Sequence, residues 1–552
     1  MLKSKYVFTF TLITFLLLSI TGAGIFVDDE WASVQQLRQL GEGHQSVYNE
    51  GAYGYYENGS IGKYFIHRDN KFMYTMALPI ASLPVYTLMK LTGEHFRFIF
   101  IILWAILGLL LFPYLYITKR IIKYYVNIGI STILLFTLLN IYLYKDLPIS
   151  GKFIPSEVLA IVTTNILLFG LLSVMLHKII DILFDNNRLK LFTFITLLSC
   201  TSLIFWVGTC KDHILSVLLA IAILYYLLKY EKDKSMTALS IALFITGLLI
   251  WLRIELGIGM IIGIGIYLLL FHYKNILYNK WILSLSLLAG TIPLWINNYI
   301  TMGSPFTHPF MVVFNGYGID TAEGIAINTI ISVGYANPVW SFLHLFLAPL
   351  SGAVGFLIII PLVVIIIPAY ILKRIKLSQT DILLLIIAFG SSLYYLAGPV
   401  IMMHADTGIM PDMRYFIVFY TILTLFMISV LSKIIPDLQY KRMIIYYILA
   451  VGLLFILFTT YSTLSGNSTY HDLNKIVNTL ATICMGIGLI AVINDIRLNK
   501  NYLTYILPIM IAIPMAWQLV MLFIYDTSKV HVYPMFMPMT EFLYNYLFGL
   551  II

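Results

Sequence analysis

The sequence predicts an all-α protein threaded many times through a membrane, and three observations predict it. Of 552 residues, 60% are hydrophobic and only 11% are charged, whereas about 25% are charged in an ordinary soluble domain. Apolar runs close to the ~20 residues that cross a hydrocarbon core recur along the chain. The scarce charge falls in small groups between those runs. So little charge cannot coat several water-soluble domains. With 3 cysteines and 15% aromatic residues, a disulfide scaffold and a disordered chain are excluded too. The net charge of +8 is dispersed, with no basic block and no nucleic-acid-binding motif, as in the loops of a polytopic protein.

The first apolar stretch, Tyr6–Val27, follows Lys3 and Lys5. It is longer than the roughly 7–15 residues of a signal-peptide core, so it reads as an uncleaved anchor with a cytoplasmic N-terminus. Further runs lie near 96–118, 125–144, 157–176, 190–208, 213–229, 236–252, 256–273 and 281–300. Others follow near 354–373, 381–401, 415–433, 443–461, 476–493 and 503–525. Together they predict about 13–15 transmembrane helices. With the N-terminus inside, 21 of the 34 Lys and Arg fall on the inner side and 19 of the 26 acids on the outer side, as the positive-inside rule requires.

Two long outer segments interrupt this pattern, residues 28–95 and 301–352. Long connections in compact proteins are usually functional or disordered, and the aromatic load here (Trp31, Tyr55, Tyr64, Phe306) favours folded loops with interfacial helices. Leu78–Leu91, with Pro79 and Pro84, is too short to span and suits a re-entrant or interfacial helix. No internal repeat, HExxH, paired CxxC, GxSxG or Walker loop occurs.

The chemistry-bearing residues gather at outer span ends. Asp28, Asp29 and Glu30 precede Trp31 at the end of the first span. Adjacent carboxylates at a lipid boundary repel one another and are costly to desolvate, which suits a base or a metal ligand; an Asp N-cap serves the same sequence equally well. Glu157 opens the fourth span, where a helix dipole alone would favour an acid. Lys211-Asp212-His213 and Arg253-Ile254-Glu255 are nearly self-neutralising and read first as ion pairs. His404, Asp406, Asp412, Arg414 and Tyr415 precede the twelfth span, where an Arg either snorkels or grips a phosphate through paired hydrogen bonds. Almost no charge sits mid-span. Ion-coupled transporters retain such charges, so the pattern favours an enzyme working at the membrane boundary over a transporter.

In order and spacing, these residues resemble the GT-C superfamily of membrane glycosyltransferases, which includes protein O-mannosyltransferases and aminoarabinose transferases. In that superfamily an acidic pair follows the first span, and Asp29-Glu30 looks like it; Glu157 looks like the second acid. KFMYTMALPIASLPVY (71–86) is similar to the family's YSKYPxGxxLLALPFY segment. NNYITMGSPF (297–306), FLAPLSGAVGFLIIIP (346–361) and DMRYF (412–416) resemble its YNyxxFGsPf, llfSPxxGLfvxxP and GxRYl motifs. The likeness covers roughly residues 6–435. The family's Lys in YSK falls at Met76 here, so Lys63, Arg68 or Lys71 would substitute for it.

The resemblance implies a transmembrane catalytic unit over 1–435, with residues 436–552 adding helices of unassigned role. It implies a glycosyltransferase of the cell membrane that uses a polyprenyl- or dolichyl-phosphate-linked sugar on the outer face. Asp29, with Asp28 as the alternative, would be the base, and Arg414, Lys71 and Arg253 would hold the donor phosphate. Trp31, Tyr55, Tyr64, Tyr415 and His404 would line the substrates. Glu157 would position the acceptor or a divalent metal, Mg or Mn. The acceptor (protein, lipid or glycan) stays open. A flippase or transporter of lipid-linked glycans, or a surface-polysaccharide polymerase or ligase, is the competing reading.

Overall fold

The structure, a computed structural model, describes residues 4–25, 30–43, 67–68, 71–72, 75–118, 123–146, 156–307, 354–397, 414–464, 470–498, 500–523 and 531–549. It is all-α and polytopic. Among the described residues, nine helices are long and apolar enough to cross a membrane, and four shorter apolar helices accompany them. The helices are α1 (Ser4–Ile20), α2 (Glu30–Gly41), α3 (Ala77–Thr92), α4 (Phe96–Ile117), α5 (Lys123–Tyr142), α6 (Ser156–Leu183), α7 (Asn187–Ser199), α8 (Leu203–Val207), α9 (His213–Asp233), α10 (Met236–Leu252) and α11 (Ile254–Met302). After the second long loop come α12 (Phe356–Ile359), α13 (Leu362–Lys373), α14 (Gln379–Ala397), α15 (Ile417–Ile434), α16 (Tyr440–Leu464), α17 (Tyr470–Leu498), α18 (Leu503–Phe523) and α19 (Pro538–Gly549). Two small antiparallel ladders complete the set: β1 (Gly22–Ile25) with β4 (His531–Met535), and β2 (His67–Arg68) with β3 (Lys71–Phe72).

Three of the expected apolar runs are interrupted, each for an identifiable reason. The first helix ends at Ile20, and Gly22–Ile25 run on as a strand paired with β4 instead of continuing the helix. The run at 354–373 divides at Pro361, which has no N–H to give to a helical turn. The run at 190–208 breaks between α7 and α8, where Ser202 takes a left-handed conformation. A break buried this deeply must have its freed backbone groups satisfied from elsewhere. Gln518 of α18 does so: its Oε1 accepts from Ile204 N–H at 3.0 Å, and its Nε2 donates to Ser199 O at 2.9 Å. The runs at 256–273 and 281–300 are two helical stretches of α11, parted by a kink where His272 and Asn279 leave helical geometry. The stretch proposed as interfacial, Leu78–Leu91, is helical as α3.

Glycines let helices approach closely, as membrane helix packing favours. A Cβ on Gly290 of α11 would lie 2.1 Å from Phe244 O of α10, and one on Gly259 would lie 2.2 Å from Gly390 O of α14.

The bundle has two chemically distinct ends. At one, Lys5 and Lys190 hold Asp181, Lys433 holds Asp381, and Lys234, His272 and Tyr267 surround Glu231. The N-terminus of α1 therefore lies beside the C-terminal end of α6. This antiparallel packing puts Glu30, after α1, at the same end as Glu157, at the start of α6. That shared end carries the site.

Gly290→Ala should lower the thermal midpoint in detergent, since overpacking typically costs about 1–3 kcal/mol. Gly265→Ala, with open space around its Cβ, should hold or raise it through helix propensity. Equal shifts in a thermal melt would contradict the packing described.

Candidate active site at the Glu30 and Glu157 end

Glu30 opens α2 and is fully buried. Its Oε2 accepts the backbone N–H of Cys210 at 2.7 Å. Cys210 belongs to the non-helical turn between α8 and α9, which Asn165 of α6 holds from the other side by donating to Thr209 O at 2.9 Å and Lys211 O at 3.1 Å. The Cys210 thiol approaches Val158 O at 3.9 Å, one residue beyond Glu157. Burial, and after it the negative charge of Glu30, push that thiol well above its ordinary value; it stays protonated and unreactive.

Glu157 is fixed by Tyr86 of α3, whose hydroxyl donates to Oε1 at 2.7 Å. The Tyr86 ring also carries Lys90 Nζ at 4.6 Å from its centroid. Gly41, at the end of α2, lies so near this ring that a Cβ would meet it at 2.4 Å. Helices α2, α3 and α6 thus form one cradle, with the 209–211 turn between the two glutamates.

Beyond that turn lies a cationic cluster. Asp212, the N-cap of α9, takes both prongs of Arg253: Nε to Oδ2 at 2.9 Å and Nη2 to Oδ1 at 2.6 Å. Arg253 sits in the extended break between α10 and α11 and also reaches His213 Nδ1 at 3.2 Å. Arg414 opens the short 3-10 turn before α15, is 5% exposed, and donates to Tyr415 Oη at 3.1 Å. The Tyr415 ring lies near both guanidinium groups, 5.0 Å from that of Arg414 and 5.9 Å from that of Arg253. Arg414 also lies 5.9 Å from the Trp206 ring, which meets His213 edge-on. Burial alone would raise the Asp212 carboxyl, but the charge and hydrogen bonds of Arg253, with Lys211 beside them, outweigh it and hold the group below its ordinary value.

The structure thus brings together Glu30, Glu157, Arg253, Arg414 and Tyr415 from the residues singled out in the sequence. Trp31 is buried in the core, 3% exposed, rather than displayed on a surface. Arg68 and Lys71 lie on the paired strands β2 and β3, and their side chains are outside the described residues. Asp28, Asp29, Tyr55, Lys63, Tyr64 and His404 are also outside them. Among the described residues, no group of three or more His, Cys, Asp or Glu is placed to hold a metal ion. Asp212, expected to pair locally, pairs instead across the two clusters to Arg253. Asn165, Trp206 and the Cys210 amide were not legible as site residues, because none carries a distinguishing motif; Tyr86 closes the 71–86 segment but was not singled out in it.

No family model matches the chain, and no curated protein matches it. Two crystal structures of ArnT from Cupriavidus metallidurans, one bound to undecaprenyl phosphate and one in the apo state, superpose with a TM-score of 0.41 each. They are 12% and 13% identical to this chain, over 94% of its length and 76% of theirs. At that distance the likeness carries no weight for the chemistry, which rests on the residues above.

Asp212→Asn should destabilise the protein by up to about 3–5 kcal/mol, because it leaves the half-buried Arg253 charge without its carboxylate. In the wild type the folded-state carboxyl lies below its unfolded value. The contribution is therefore complete above the ordinary range near pH ~3.9 and drains away as pH falls through the depressed value. Thermal melts from pH 3 to 7 should show a steeper acid loss in the wild type than in Asp212→Asn.

Proposed function

We propose that this chain is a membrane glycosyltransferase that takes a sugar from a polyprenyl- or dolichyl-phosphate carrier and passes it to an acceptor hydroxyl on the outer face of the cell membrane. One observation carries the reading: buried cations, Arg414 and Lys211, and the Arg253–Asp212 pair stand beside the turn that seats Glu30, and Asp29 and Asp28 directly precede Glu30 in the chain. An acid–base group beside a phosphate-sized cationic cluster, at the end of a bundle of apolar helices, is what such a transfer needs. The family motifs in the sequence point the same way.

The chemistry follows from the residue types. Asp29, with Asp28 as the alternative, takes the proton of the acceptor hydroxyl as its oxygen attacks the anomeric carbon. The bond from that carbon to the phosphate oxygen breaks, and the carrier leaves as a phosphate monoester with one more negative charge than the donor had. Cations fixed in advance lower the barrier most where new charge develops. Arg414 is the principal candidate for this, because Tyr415 and Trp206 orient its guanidinium. Both prongs of Arg253 engage Asp212, so its field rather than its fork would act on the phosphate. Glu30, buried and bonded to the Cys210 amide, serves as the fixed end of the acidic run rather than as the base. Glu157, held by Tyr86, would position the acceptor.

Mass spectrometry of surface glycans and lipid-linked sugars after deletion of the gene should show one missing sugar, naming donor and acceptor together. Complementation with Asp29→Asn should fail, at a loss of about 10²–10⁴-fold, while the variant melts like the wild type. Full transfer by Asp28→Asn and Asp29→Asn together would overturn the mechanism. Arg414→Lys should also lose most transfer, because a lysine cannot reproduce an oriented planar fork.

A further inference from the structure

The last described segment of the chain returns to the first. β4 pairs with β1 in the register Gly22↔Met535, Gly24↔Val532 and Ile25↔His531. The register slips between Gly22 and Gly24, so β4 carries an extra residue opposite Ala23, in the stretch that holds Pro534. A bulge suits a residue with no N–H to give to the ladder. Past the strand, Phe536 N–H reaches Thr21 O at 3.4 Å, and Thr540 Oγ1 donates to Ser19 O at 2.6 Å. Met539 N–H donates to Asn140 Oδ1 at 2.9 Å, and the Phe536 ring stacks on Phe100 at 4.4 Å. Arg97, only 2% exposed, locks the arrangement: it pairs with Glu541 and donates to Phe536 O and Lys145 O, each at 3.3 Å. A buried arginine whose recorded partners include a carboxylate and a carbonyl of the C-terminal segment is a costly fixture for a mere tail.

The strand that β4 holds is also joined to the site. Gly24 N–H donates to Gly208 O at 3.0 Å, and Gly208 begins the turn whose Cys210 amide binds Glu30. Ile25 and Glu30 are thus both anchored, and the five chain steps between them reach at most roughly 17 Å. Whatever fixes β1 limits where the carboxylates of that short stretch can be.

We propose that residues 531–549 form a positioning strap for the acidic run, with Arg97 and Glu541 as its latch, setting the height of β1 and through it the placement of Asp28 and Asp29. This rests on the reading of those aspartates as the acid–base pair. Arg97 and Glu541 are positioning residues: they act through β1, not on the substrate.

The test compares full-length protein, Glu541→Gln, and a chain ending at residue 530, with and without an added peptide of residues 531–549. Four readouts are taken: melting in detergent, binding of undecaprenyl phosphate by native mass spectrometry, amide hydrogen exchange at residues 22–25, and sugar transfer in the complemented deletion strain or with its extract. The strap requires faster exchange at 22–25 in both variants and transfer reduced about tenfold in Glu541→Gln and roughly a hundredfold in the truncation, the scale of a small misplacement at a reacting centre. It also requires undecaprenyl phosphate binding unchanged in both variants when measured below their melting midpoints, and recovery of transfer when the peptide is added. Unchanged exchange at 22–25, or faster exchange with full transfer, would overturn it. So would loss of melting, binding and transfer in step, which marks a purely structural segment. If the Asp28→Asn, Asp29→Asn double variant keeps full transfer, the catalytic reading itself fails; that result is separate from the exchange measurement on the strap.

Discussion

A non-helical turn buried among membrane helices must find a partner for each backbone group, since neither water nor lipid supplies one. The turn from Gly208 to Asp212 meets this constraint with groups from three separate parts of the chain, and a fourth pairs with its last side chain. Gly24 gives its N–H to Gly208 O, Asn165 gives its amide to Thr209 O and Lys211 O, Glu30 takes the Cys210 N–H, and Asp212 takes Arg253. The partners that satisfy the turn are the residues that define the site, so the fold and the chemistry share one set of hydrogen bonds. Gly208 shows how tight the arrangement is: a Cβ there would sit 3.1 Å from Gly22 O, closer than an unshifted backbone allows.

Much of this was legible in the sequence because hydropathy and charge report directly on membrane insertion. The apolar runs at 96–118, 125–144, 213–229 and 236–252 correspond closely to α4, α5, α9 and α10. Charges at span ends were readable for the same reason, which is how Glu157, Arg253 and Arg414 were found. Three things were not legible. The break between α7 and α8 depends on Gln518, more than three hundred residues away in sequence. The β1–β4 ladder depends on pairing between opposite ends of the chain. The Glu157–Tyr86 bond joins a span-end acid to a tyrosine seventy-one residues earlier, and neither stretch announces the pairing. Hydropathy measures the preference of a segment for lipid; it does not report which distant polar group will repair an irregularity.

The two ends of the bundle use charge differently. At the Lys5 end, several buried or half-buried carboxylates have a basic partner close by: Asp181 with Lys5 and Lys190, Asp381 with Lys433, Glu231 with Lys234. These pairs close off helix ends and leave little field beyond them. At the Glu30 end, the carboxylates Glu30 and Glu157 are bonded to a backbone amide and a tyrosine hydroxyl, while Arg414 is packed against aromatic rings. These contacts fix the position of each group, and the same end also holds the Arg253–Asp212 ion pair.

This distinction separates the three consecutive acids. Glu30 begins a helix, is fully buried, and bonds a backbone amide that cannot move without breaking the 208–212 turn. A group so placed cannot swing toward an incoming hydroxyl. Under the proposed mechanism the proton therefore goes to Asp29 or Asp28, and Glu30 contributes as the fixed anchor from which the acidic run extends.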